Sequence, residues 1–193
     1  MQAPWQPVLD FWFYPPDHPS HLQFRPEWFE KNPEFDAEIR ERFGSLIQVA
    51  LEQELDHWSA DVEGELARII VLDQFPRNVW RDTADAFKGD PLALRYALEM
   101  IATGRDKQLA PNQRKFLYMP LMHAEDLSLQ EHCVELFELL ARVDAAQEES
   151  LNYARAHRDI VARFGRFPHR NHLLGRESTP QEIEFLKTPG SSF

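Results

Sequence analysis

The sequence is short of cysteine, of lysine and of long apolar runs, and each shortage removes a class of protein. A single cysteine, Cys133, among 193 residues excludes an intramolecular disulfide framework and a cysteine-rich zinc site. The longest uninterrupted aliphatic run, Ile69 to Leu72, falls far below the roughly 20 apolar residues that span a bilayer. Met1 to Pro16 has neither a basic n-region nor a continuous apolar core, so a secretory signal is not expected and the cytoplasm is. Basic residues are too few to balance the acids. The net charge of −11 lacks the basic footprint on which nucleic-acid and anionic-membrane binding rest.

Several catalytic and cofactor signatures are missing as well. There is no glycine-rich phosphate loop, no Gly-x-Ser-x-Gly elbow and no His-Glu-x-x-His helix. Glu54-x-x-His57 is half of a di-iron carboxylate motif without its second half. His18-x-x-His21 and His169-x-x-His172 fall in predicted loops without a third ligand. No metal or cofactor is expected. Cys133 lies at the centre of an apolar helix face, where a core thiol is the expectation rather than a nucleophile.

What remains is apolar and helical. With 43% hydrophobic and 12% aromatic residues, the chain can bury enough surface to offset its ordering entropy. Apolar residues recur at spacings of three and four almost throughout, which predicts an all-α fold. Asn32-Pro33 opens a long amphipathic helix through Phe35, Ile39, Phe43, Leu46 and Ala50. Asp61 starts a second helix that must stop near Pro76. Asp90-Pro91 begins a third, closed by Gly104. A shorter segment, Asn112 to Met119, should be ended or kinked by Pro120. Asp126 or Ser128 opens the next, residues from about 146 to 164 form another, and Thr179 to Glu182 is a capping box. Residues 1–31, aromatic and proline-rich, read as a short helix and an arm packed on the body of one domain, 1–193. No fixed-period repeat is present, but Phe75-Pro76-Arg77-Asn78 is echoed by Phe167-Pro168-His169-Arg170-Asn171.

Two titratable groups sit where apolar residues belong. On the second helix, Asp73 falls at about 20° on a wheel whose apolar arc is centred on Val62, Leu66 and Ile69. On the helix before Phe164, His157 lies among Tyr153, Ile160, Val161 and Phe164. A buried carboxylate needs donors or a cation. If the two helices pack together, Asp73 and His157 form either an acid–base dyad or a buried salt bridge. Arg77, Asn78, Arg170 and Asn171 follow the two helix ends and could converge on an anion. Arg outnumbers Lys 16 to 5, and six of those arginines lie between Arg155 and Arg176, a local surplus either neutralised inside the fold or presented to an anion. Arg166, His169, His123 and Glu125 are further candidates for the same ligand site. The alternative for Glu125 and Asp126 is favourable charge at a helix N-terminus.

The strings Val8 to Phe13, Leu72 to Asn78, Tyr118 to His123 and Arg163 to Asn171 together resemble an uncharacterised bacterial family, domain of unknown function 924. The similarity spans essentially the whole chain. Ala124 stands where that family's pattern leads one to expect serine, which argues against a hydroxyl role there. The resemblance implies an all-α fold like that of tetratricopeptide-type helical hairpins, and no established activity. Three functional readings follow. The first is a binding module clamping a small anionic molecule or a peptide carboxylate through the Arg/Asn cluster. The second is a metal-independent hydrolase or proton-transfer enzyme using Asp73 and His157. The third is a purely structural polar core. The sequence leaves the oligomeric state open.

Overall fold

The computed structural model describes residues 2–192, and among them there are helices and turns but no strand. Helix α1 spans Gln6–Phe13, α2 Pro33–Leu51, α3 Val62–Asp73, α4 Phe75–Val79 and α5 Asp90–Ala102. They are followed by α6 (Pro111–Met122), α7 (Leu127–Val143), α8 (Glu148–Phe164) and α9 (Pro180–Phe185). The local start signals act as the sequence leads one to expect. Asn32 accepts from the amides of Glu34 and Phe35, Asp126 from that of Leu129, and Thr179 and Glu182 form a reciprocal capping box. Each satisfies amide donors that a helix start otherwise leaves orphaned.

Helix α3 is the axis of the molecule. From Gly64 to Asp73 every residue is buried, as expected of a helix with neighbours on all sides. Helices α1, α2, α5 and α6 pack around it. The N-terminal aromatics fill the space between: Trp12 is fully buried, with its ring 5.6 Å from that of Phe75 and 5.3 Å from that of Phe116. Trp28 donates its indole N–H to the Trp12 carbonyl at 3.0 Å. Helix α8 packs mainly on α7, and a smaller cluster of Ile160, Val161 and Phe167 lies at its end.

Two glycines permit close approaches onto α3. A Cβ on Gly89 would lie 2.0 Å from the Leu72 carbonyl oxygen, and one on Gly64 would lie 2.3 Å from that of Trp58. Gly89 therefore lets the start of α5 sit directly against the end of α3, which brings Asp90 within reach of Arg77. No larger residue fits that gap.

The prolines do more than stop helices. Pro76 and Pro168 each occupy the first turn of a new short helix, α4 and Pro168–Arg170 respectively, where a missing N–H is harmless. Pro120 neither ends nor replaces the last turn of α6. The helix continues to Met122 and closes with the His123 amide on the Met119 carbonyl at 3.0 Å.

Candidate functional site

Asp73 is fully buried at the end of α3, so its charge must be met from inside. Three side chains meet it. His123 donates from Nδ1 to Oδ1 at 2.7 Å. Gln74 donates to Oδ2 at 2.5 Å. Arg77 stands 3.4 Å from Oδ1 and also donates to the Asp73 backbone carbonyl at 2.5 Å. Burial alone would raise the carboxyl pKa; His123 and Arg77 overcome it and hold the group ionised. For His123, burial followed by the charge of Arg77 outweighs Asp73 and lowers its pKa. The carboxylate can only accept, so the ring donates its Nδ1–H to it.

The imidazole paired with Asp73 is thus His123, where the helical wheel leads one to expect His157. The reason is packing. Helix α3 adjoins α6, whose end carries His123, whereas α8 lies mainly against α7. His157 instead donates from Nδ1 to the Tyr153 carbonyl one turn back, at 2.7 Å, and its ring meets Phe167 edge-on at 5.5 Å. Burial is the chief cause of its pKa being lowered to about 3.

Arg77 also reaches α5, donating two parallel hydrogen bonds to Asp90 at 2.8 and 3.0 Å. Arg170 approaches the same carboxylate from the C-terminal segment, with Nη1 3.5 Å from Asp90 Oδ2. Its guanidinium lies against the rings of Phe87 and Phe167, 4.6 and 4.8 Å from their centroids. The buried Nε has no hydrogen-bond partner among the described residues. Burial, then the like charge of Arg77, lower the Arg170 pKa to about 10. Two arginines thus share one aspartate, and only one of them is bonded to it at short range. The side chains of Arg77, Asp90, His123 and Arg170 keep 21, 19, 10 and 9% of their area exposed, so this connected group borders solvent. His169 lies close enough to Arg170 for that charge, after burial, to help lower its pKa to about 4.

The remaining candidates are held inside the fold by other partners. Asn78 donates to Asp36 at 2.7 Å. Asn171 donates to Ser178 and Glu182, and Arg166 forms a fork on Glu182 at 2.7 and 2.8 Å. Glu125 accepts the Phe167 amide at 2.7 Å and both terminal nitrogens of Arg176 at 2.6 and 2.8 Å. It ties the C-terminal segment to the α6–α7 junction and leaves the cap of α7 to Asp126. Much of the basic surplus at residues 155–176 is therefore neutralised internally. Among the described residues Arg163, over the rings of Phe164 and Phe185, has no acidic partner, and Arg170 has one only at 3.5 Å.

A surface cleft of about 290 Å³ lies elsewhere, lined by residues of α6 and α7 such as Tyr118, Leu139 and Val143. Among the described residues no three His, Cys, Asp or Glu side chains are grouped as a metal site. No helix is long and apolar enough to cross a membrane.

The architecture and this cluster define an all-helical protein with an Arg–carboxylate–histidine network at the meeting point of α3, α5 and α6. The chain belongs to the bacterial proteins of unknown function DUF924, whose family model matches residues 8–190. It is similar to a solved protein of unknown function from Agrobacterium tumefaciens. That protein is 39% identical with a TM-score of 0.81, over 95% of this chain and 96% of the other. No functionally curated protein matches.

Proposed function

We propose that the chain is a cytoplasmic binding module of tetratricopeptide-like hairpins. Its ligand is a small anion or a peptide carboxylate, held by Arg170 and Arg77. One observation carries this reading: Arg170 is a buried guanidinium against two phenyl rings, its Nε without a partner among the described residues and with only a distant share in Asp90. A buried cation in that condition gains most from an added bidentate acceptor. The exposed edges of Arg77, Asp90 and His123 border the place such an acceptor would enter. Asn78, Asn171 and Arg166, engaged with Asp36 and Glu182, act as supports and not as ligand contacts.

The test is a thermal-shift screen of phosphate, simple carboxylates and short peptides on the wild type and on Arg170→Ala. A ligand at 100 times its Kd adds about 2.7 kcal/mol, which is several degrees for a chain of this size. Shifts in the wild type that vanish in the variant support the clamp. Equal shifts in both, or none in the wild type, exclude it.

A second reading, metal-independent hydrolysis or proton transfer, is favoured by one specific geometry. With Nδ1 fixed by Asp73 at 2.7 Å, His123 presents Nε2 as the atom able to take a proton from water. In this reading His123 replaces His157 as the base. Turnover of p-nitrophenyl esters or phosphates that is lost in His123→Gln supports it, and absence of turnover in the wild type excludes it.

A further inference from the structure

Away from this cluster, one lysine is placed unlike the other four. Lys115, on α6, is 5% exposed, whereas Lys31, Lys88, Lys107 and Lys187 are exposed. Its ammonium position is surrounded by rings: Trp28 at 5.3 Å, Phe29 at 5.4 Å, Phe24 at 5.8 Å and Phe116 at 5.9 Å to the centroids. Among the described residues Nζ has neither a hydrogen-bond acceptor nor an ion-pair partner. The carboxylates of Asp144 and Glu149 act on it only at longer range.

Separations above 5 Å approach the roughly 6 Å limit of a useful cation–π contact. The rings therefore exclude water more effectively than they hold charge. Desolvation disfavours the ammonium, and burial lowers its pKa to about 8 in spite of Asp144 and Glu149. The entrance is equally unusual. Phe24 and Phe29 are 58 and 54% exposed and lie nearly parallel, 6.2 Å apart. These are large apolar faces left at the surface beside a buried amine.

We propose that Lys115 is a carbonyl-capturing amine that forms an imine with a small apolar or aromatic aldehyde seated against Phe24 and Phe29. The Nζ lone pair forms the C–N bond while the carbonyl π pair moves to oxygen. The nitrogen loses a proton and the oxygen gains one, giving a carbinolamine. Expulsion of that oxygen as water, with loss of the second N–H proton, leaves the C=N bond. No oxidant or reductant takes part. A lysine desolvated in an apolar setting is the form of amine suited to this step.

The other four lysines are internal controls. The folded protein is treated with benzaldehyde, or with formaldehyde as a probe too small to be excluded, in the presence of cyanoborohydride to trap the imine. Modification of each lysine is followed by peptide mass spectrometry from pH 6 to 10. At pH 7 Lys115 is expected to react at least fivefold faster than the mean of the exposed four, the gap closing as pH approaches 10. Phe24→Ala with Phe29→Ala should slow benzaldehyde more than formaldehyde, since losing the rings lessens the desolvation both probes depend on and removes the seat that benzaldehyde alone uses. If Lys115 reacts no faster than the exposed lysines with either probe, or only after denaturation, the assignment is wrong. Equal slowing of both aldehydes in the double variant would overturn the seat on the two rings.

Discussion

His123 and Asp73, fifty residues apart in sequence, are joined by a 2.7 Å hydrogen bond in the interior. The carboxylate can only accept, so the ring carries its proton on Nδ1 and offers Nε2 elsewhere. Arg77 then links this pair to Asp90, and Asp90 links it to Arg170. Each member holds a neighbour's charge or orientation, so removal of one leaves another uncompensated.

Asp73→Ala removes the acceptor from His123, Gln74 and Arg77 at a fully buried position. Breaking such a buried set costs about 3–5 kcal/mol. Asp73→Asn keeps the shape and one carbonyl acceptor, and Arg77 retains Asp90, so a smaller loss is expected. Urea midpoints of the two variants measure the order; a larger loss for the asparagine would contradict it.

Gly89→Ala places a methyl group 2.0 Å from the Leu72 carbonyl oxygen, a backbone atom that no rotamer change can clear. Overpacking of this kind costs about 1–3 kcal/mol or more. Because the strain falls between Leu72 and Asp90, the Asp73–Arg77–Asp90 group should loosen with it. Thermal unfolding tests the first effect. The His123 imidazole resonances in NMR test the second.

Mild acid should weaken the fold through its buried histidines. His157 and His169 have pKa values lowered to about 3 and about 4, against about 6.5 in an unfolded chain. Between those values the unfolded state binds more protons, so stability falls as pH falls through 6.5. From pH 6.5 to 5.5 the two together remove about 2 kcal/mol, and His123 acts in the same direction. His157→Gln should flatten the slope. A melting temperature unchanged across that interval would show these rings to be readily protonated in the folded state.

Glu125→Ala frees the Phe167 amide and the Arg176 guanidinium together. Hydrogen bonds to a charged group contribute about 1.5–3 kcal/mol. The expected result is faster hydrogen exchange at Phe167 and nearby amides, with α3 and α6 still protected. Uniform loss of protection would mean that the C-terminal segment is not separately fastened.

How much of this could be read beforehand follows from how local each feature is. The caps at Asn32, Asp126 and Thr179 were legible because donor and acceptor lie within three residues. Asp73 was legible as a carboxylate on an apolar arc. Its partner was not, because a helical wheel gives a residue's direction on its own helix and nothing about which helix faces it. His123 stood among the candidates without a role; it lies just beyond the end of α6, where periodicity no longer gives direction. Asp90 looked like a helix start and nothing more, since its link to Arg77 depends on Gly89 closing on Leu72. Lys115 gave no warning at all. Its burial is produced by Phe24, Trp28 and Phe29, more than eighty residues earlier, folding over α6.

The five tryptophans, Trp5, Trp12, Trp28, Trp58 and Trp80, all precede residue 81, and Trp12 and Trp28 sit within the aromatic packing that seals α1 onto the core. Indole emission therefore watches the first part of the chain come together. The later half, which carries His123 and Arg170, has no indole of its own. A tryptophan introduced at an exposed position of α7 or α8 would make the two halves separately visible during refolding.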